Sequence, residues 1–246
     1  MDRMLYLAMS GAKQTMQAQA IATHNLANVN TTGFKADLAA ARSMPVFGEG
    51  HPSRVYAMTE RPGIDFAPGT VQFTGNELDF AINGEGWIAV QAVDGSEAYT
   101  RRGDLRINAN GLLENGAGQL ILGDGGPIAL PPAEKIEIGV DGTISIRPLG
   151  QDANTLAQID RIKLVNPPIT ELQKGEDGLF RLKSGEQAEA DAVVKIMPGS
   201  LEASNVNAVA EMVNMINLQR QFEMQIKAMK SVEENDASAV QMMRLA

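Results

Sequence analysis

Two histidines, thirty acidic residues and no cysteine are the raw material for any chemistry this chain performs. Without cysteine there are no thiolate metal ligands and no disulfides. His24 and His51 have no second ligand at metal-binding spacing. No H-E-x-x-H, P-loop, G-x-S-x-G or EF-hand pattern occurs. His24 therefore reads as a packing or hydrogen-bonding residue. Glu233, Glu234 and Asp236 have the residue types for metal binding or general acid catalysis, but on a helix they read as a solvated face. Gly84-Glu85-Gly86-Trp87-Ile88-Ala89 matches G-x-G-x-x-A, the phosphate-cradling pattern of dinucleotide sites. It enters a β run instead of opening a helix, and Trp87 is too bulky for close pyrophosphate approach. The segment is expected to be a strand-flanking turn, with the single tryptophan anchoring the β region. Arg101-Arg102, a lone basic pair in acidic surroundings, reads as an ion-pair site. No catalytic, cofactor-binding or metal-binding residue emerges, and no cofactor is implied.

The elements that would position a site are better defined than any site. Leu5, Met9, Ala12, Met16, Ala20, Thr23 and Ala27 recur every three or four residues, a weakly hydrophobic helical stripe. Asn28, Asn30 and Gly33 supply stop signals. From residue 14 to residue 34 there is no Asp, Glu, Lys or Arg. A solvated helix normally carries charge, so something other than water is expected to cover this one. A second helix is expected over about 205–245, capped by Asn205 or Asn207, with Glu211 at its positive dipole end. Met212, Met215, Gln219, Phe222, Ile226, Met229, Glu233, Asp236, Val240 and Met243 keep coiled-coil spacing along it. The methionines suit an adaptable interface, and pairing should be tightest from about 209 to 232.

Between the helices the texture changes. Residues 36–75 scatter Pro45, Pro52, Pro62 and Pro68 among Gly48, Gly50, Gly63 and Gly69, which suits an extended connector. From 76 to 198, short apolar runs alternate with Asn-Gly or Asp-Gly at 83, 94, 110, 115, 124, 141 and 177. Such pairs accept the positive φ of tight hairpins. The expected fold is α+β: the terminal segments 1–35 and 199–246 pair as a coiled-coil-like helical domain. A connector over 36–75 and an antiparallel, barrel-like β domain over 76–198 lie between them.

Composition narrows function. The chain has 44% apolar but only 4% aromatic residues, so its core must rest on Ile, Leu, Val, Ala and Met. Net charge is −9, and residues 31–199 hold 23 acids against 15 bases. This excludes the basic footprint of a nucleic-acid binder. No basic n-region precedes an apolar h-region, and no run approaches 18 apolar residues, so neither a cleaved signal peptide nor membrane insertion is expected.

Residues 25–35 (NLANVNTTGFK) resemble the N-terminal signature of the flagellar rod and hook family of bacterial axial proteins. Residues 204–229 (SNVNAVAEMVNMINLQRQFEMQIKAM) resemble its C-terminal signature, and residues 78–113 look like its shared β-domain motif. Within the family, the start MDRMLYLAMSGA, GDGGPIALP at 123–131 and SVEENDASAVQMM at 231–243 are most similar to the proximal rod branch. A distal rod or hook-type paralogue is the alternative.

The resemblance implies a structural subunit of the flagellar basal body, not an enzyme and without a small-molecule substrate. Such subunits are exported by the flagellar type III apparatus without a cleaved signal and assemble helically into the periplasm-spanning rod that serves motility. The implied partners are that export apparatus and other proximal and distal rod subunits. The implied assembly residues are Leu5, Met9, Met16, Ile21 and Leu26 in the first helix. In the second they are Met212, Met215, Ile216, Phe222, Ile226 and Met229. Asn25, Asn28, Asn205 and Asn207 are assigned to helix-end hydrogen bonding, because short amides satisfy orphan backbone groups. Two other classes compete with this one: a cell-wall hydrolase, and a β-domain binding module with a dimeric helical tail.

Overall fold

Ala, Gln, Leu and Met favour helix, and neither terminal segment contains an interior proline, so both ends wind into long helices. The computed structural model describes residues 3–45, 55–59, 63–148, 150 and 156–244. Helix α1 spans Arg3–Ala27 and helix α2 spans Ala208–Arg244. At the end of α1, Asn28 donates to the His24 carbonyl through both its backbone N (3.2 Å) and its Nδ2 (3.0 Å). At the start of α2, Asn207 Oδ1 accepts from the backbone N of Val209 and of Ala210, each at 3.1 Å. This is N-cap geometry.

The chain forms two compact units, one of residues 1–29, 35–67 and 206–246, the other of residues 30–34 and 68–205. The first unit holds both helices and two small antiparallel ladders. Asp37–Leu38 pairs with Gly63–Ile64, and Ala41–Pro45 pairs with Val55–Thr59. The 36–75 stretch is therefore not the irregular connector its Pro and Gly content suggested. Pro45 is tolerated because it ends a two-stranded ladder opposite Val55, where a missing N–H removes little. Gly48, Gly50, His51, Pro52 and Pro62 lie outside the described residues.

The second unit is built on Trp87–Gln91, which pairs with Glu97–Thr100, Leu120–Gly123 and Leu164–Val165. From there the sheet runs outward to Leu172–Lys174 at one edge and Leu105–Ile107 at the other. All described pairings are antiparallel, as the turn dipeptides predict. Among the described residues the sheet does not close into a barrel, which corrects the barrel-like expectation. Both edge strands are three residues long, too short for the stagger that closure requires. A separate three-stranded sheet of Ala133–Ile138, Thr143–Pro148 and Ala157–Arg161 helps to bury the core instead. Its Ile138, Ile144 and Ile146 join Ile88, Val90, Leu113 and Ile121 in one cluster.

Among the described residues no methionine enters that cluster, contrary to the compositional expectation. Nine of the 13 methionines lie on α1 and α2 instead. Glycine takes a positive φ at five of the seven turn dipeptides, at 84, 95, 111, 142 and 178. Gly116 does not, and its reason is space: a Cβ there would stand 2.1 Å from the Asp104 carboxylate.

Candidate functional site

The two terminal helices lie antiparallel against each other. Asn25 Nδ2 donates to Glu211 Oε1 at 3.1 Å, while Gly11 faces the Gln225 side chain, which a Cβ would approach to 3.0 Å. Fourteen residues separate these contacts on either helix, so the register holds along the pair. Extended by one helix end, it places Arg3 opposite Glu233 and leaves the last turns of α2 beyond α1.

The seam of α2 is Glu211, Met215, Leu218, Phe222, Gln225, Met229 and Val232, each buried or half-buried, and Asp236 and Ala239 continue its spacing beyond α1. Its steps alternate four and three, which is heptad spacing. The facing side of α1 consists of small residues: Ala8, Ala12, Thr15, Ala22 and Asn25 are all buried. Small side chains let the axes approach closely. Thr15 stays satisfied there by donating to the Gly11 carbonyl at 2.9 Å.

The larger apolar residues of α1 consequently point outward. Of the stripe identified from spacing, only Ala12 is buried. Met9 and Met16 are 54% and 58% exposed, with Leu5 exposed beside them. Ile21 and Leu26 are half-buried at the margin. On α2, Met215, Phe222, Ile226 and Met229 are half-buried, and Met212 and Ile216 are exposed. The structure thus splits the candidate residues between an internal seam and an outward face. Sequence reasoning missed the seam of α1, whose only signal was alanine at three–four spacing. On α2 the spacing finds Met215, Phe222 and Met229 but not the intervening Leu218, Gln225 and Val232.

The four asparagines have unequal jobs. Asn28 and Asn207 bond helix ends. Asn25, only 2% exposed, instead joins elements: its Nδ2 donates to the Asp37 carbonyl and its Oδ1 accepts from the Asp37 N, each at 2.9 Å. Beside it, His24 Nδ1 lies 2.9 Å from Asp37 Oδ2, a hydrogen-bonding role. Asn205 donates its backbone N to the Phe34 carbonyl at 3.3 Å.

In the second unit, Gly84-Glu85-Gly86 forms the turn between Phe80–Asn83 and Trp87–Gln91, not a helix start. Trp87 is buried, with its ring 4.5 Å from that of Phe180. Both arginines of the basic pair have carboxylate partners. Arg102 bonds both oxygens of Asp104, at 2.7 and 2.9 Å. Arg101 lies over Trp87 at 5.3 Å, and its Nη1 meets Glu202 Oε2 at 3.1 Å in a buried ion pair. Tyr99, also buried, accepts from the Ala188 N at 2.6 Å and donates to Glu97 Oε1 at 3.1 Å. Burial pushes its hydroxyl up to about 12. Glu97 is held in turn by Lys163 Nζ at 2.8 Å. These are internal networks of paired groups, in which the buried Arg101 Nε has no hydrogen-bond partner among the described residues. Among the described residues no group of three or more His, Asp or Glu suits a metal ion, and no helix is long and apolar enough to cross a membrane.

Three family models match the chain. Residues 5–35 match the flagella basal body rod protein model. Residues 81–146 match the D1 domain of flagellar hook protein FlgE/F/G. Residues 197–242 match the C-terminal model of flagellar basal body rod FlgEFG proteins. The flagellar basal-body rod protein FlgF of Escherichia coli (strain K12) is 44% identical over 252 residues, covering 100% of both chains. FlgF of Salmonella typhimurium is 42% identical over the same extent. FlgG of Bacillus subtilis (strain 168) is 31% identical, covering 95% of this chain and 96% of its own.

Proposed function

This chain belongs to the flagellar basal-body rod family, a family of structural proteins and not of enzymes, and we propose that it polymerises through the outward faces of its paired terminal helices. It is a structural subunit of the proximal rod, located in the flagellar basal body. The observation that carries the polymerisation mechanism is the outward face itself. Met9, Met16, Met212 and Ile216 are exposed, and from residue 14 onward α1 carries no Asp, Glu, Lys or Arg. Water is a poor partner for such a face, and burying it against neighbouring rod subunits supplies the association free energy. Contacts that join one face to a different face build a helix of subunits where their rotation does not close into a ring.

Leu5, Met9, Met16, Met212 and Ile216 make contacts between subunits in this scheme. Met215, Phe222, Ile226 and Met229 hold the pair together within a subunit, with Ile21 and Leu26 at its margin. Export by the flagellar type III apparatus fits a chain that crosses unfolded: it has no disulfide to form, and its charge-poor helix is covered only on arrival in the periplasm-spanning rod. Deletion of residues 3–27 tests the scheme in a strain lacking its own copy of this subunit. The truncated chain should retain the β unit, as read by Trp87 fluorescence, and build no rod. Motile cells carrying it would refute polymerisation through the helices.

A further inference from the structure

The chain passes between its two units four times, at 29/30, 34/35, 67/68 and 205/206. Within the β unit, the segments that adjoin those passages meet at one residue, through both its backbone and its side chain. Glu202 accepts from the Gly33 N at its backbone carbonyl (2.7 Å) and from the Gly69 N at Oε1 (3.0 Å), while Oε2 meets Arg101 (3.1 Å). Arg101 is anchored in the sheet by Nη2 donating to the Gly84 carbonyl at 2.8 Å and by its seat over Trp87. The neighbouring backbone continues the junction: Ala203 N donates to the Thr70 carbonyl at 2.8 Å, and Asn205 N to that of Phe34 at 3.3 Å.

Two glycines are required for this approach. A Cβ at Gly33, whose φ is +67°, would stand 2.4 Å from the Arg101 carbonyl carbon. One at Gly69 would stand 1.8 Å from the Ala203 oxygen. In both cases the obstacle is backbone, which cannot swing aside.

We propose that the Arg101–Glu202 ion pair is a closure point that ties the chain passages together and so sets the effective concentration at which α1 meets α2. Residues 27 and 208, the facing ends of the helices, are separated by 180 residues of sequence. With Phe34 held at Asn205, only residues 28–34 and 205–207 remain as the closing loop, ten in all. Without the junction, the next pairing that joins the two arms is the ladder of Val71–Phe73 with Ser200–Glu202, which leaves about fifty. Loop-closure entropy grows as three-halves of the logarithm of length, so the helix pair opens on the order of tenfold more readily. Arg101 and Glu202 touch neither helix in this scheme. They are positioning residues.

Hydrogen exchange on the full-length chain tests this with Glu202→Gln and Gly33→Ala, which break the junction from different sides. Each should speed exchange of α1 and α2 amides on the order of tenfold while leaving Trp87–Gln91 and Leu120–Gly123 protected. Restoring an uncharged apolar contact in the double variant Arg101→Met/Glu202→Met should recover part of the helix protection. Helix protection unchanged in both single variants would overturn the proposal. So would loss of sheet protection before or together with the helices, including failure of either variant to fold, because that would make the pair a core element and not a closure. Wild-type helices that exchange as freely as unfolded chain would overturn it too.

Discussion

Replacing Met9 and Met16 together by glutamate separates the two faces of α1 in a single experiment. Fully burying a methionine side chain stabilises by about 1.5–3 kcal/mol. These two are 54% and 58% exposed in the subunit, so an intersubunit contact gains roughly half of that at each, on the order of 1 kcal/mol. A glutamate there loses this gain. In the assembled rod it must also leave water without a partner, which costs several kcal/mol per ion even after relaxation. At each of the two positions the total is roughly 4 kcal/mol, so either glutamate alone raises the concentration needed for assembly about a thousandfold and the pair raises it further. In the free subunit the same carboxylates stay solvated, so stability should move by no more than about 0.5 kcal/mol. The assay pairs motility and basal-body recovery, in cells lacking the native copy, with thermal unfolding of the purified chain. Met9→Leu/Met16→Leu is the control that keeps the apolar area and should build rods. Normal rods from the glutamate variant would refute the outward-face mechanism. A large loss of subunit stability would refute the assignment of these residues to the outward face.

Further consequences concern the subunit by itself. Asn25→Ala removes a buried amide serving Asp37 and Glu211, and should destabilise the helical unit by about 1–3 kcal/mol in urea unfolding. Tyr99 should make the β unit alkali-sensitive: in the unfolded chain its hydroxyl ionises from about pH 10, in the folded chain only near 12. Stability is therefore intact below pH 10 and falls on the order of 2–3 kcal/mol by pH 12, and Tyr99→Phe should flatten that limb of the pH profile while lowering stability at neutral pH. Gly103→Ala would put a Cβ 1.8 Å from the Phe80 carbonyl oxygen, whereas at Gly95, with φ +81°, nothing lies within 4 Å. Thermal melts should show the Gly95 change costing on the order of 1 kcal/mol. The Gly103 change should cost at least several-fold more, since it must displace the Phe80–Gly103 backbone bond.

The two helices and most hairpins were legible because their signals are local. Three–four periodicity and the lack of proline mark both helices. Asn-Gly and Asp-Gly pairs mark the hairpins, and the asparagine at 207 marks the start of α2. Two readings failed for a shared reason. The 36–75 ladders depend on partners that become adjacent only in three dimensions, so proline and glycine content alone read as irregular. The barrel expectation took hairpin density as a sign of closure, but closure depends on strand length and stagger, which turn residues do not report.

The sequence by itself determined that this is a structural α+β chain with helical terminal segments and methionine concentrated on them. Composition and spacing decide these because each is a property of a residue and its near neighbours. Only the tertiary structure decided which face of α1 turns inward. The Leu5–Met9–Met16 stripe looks like the natural seam, being the more hydrophobic. Close approach of two helices favours Ala8, Ala12, Thr15 and Ala22 instead, and that choice leaves the methionines facing outward. Likewise Arg101 and Glu202 stand 101 positions apart, with nothing local to join them. Their pairing follows from burial, since a charge out of water must find an opposite charge.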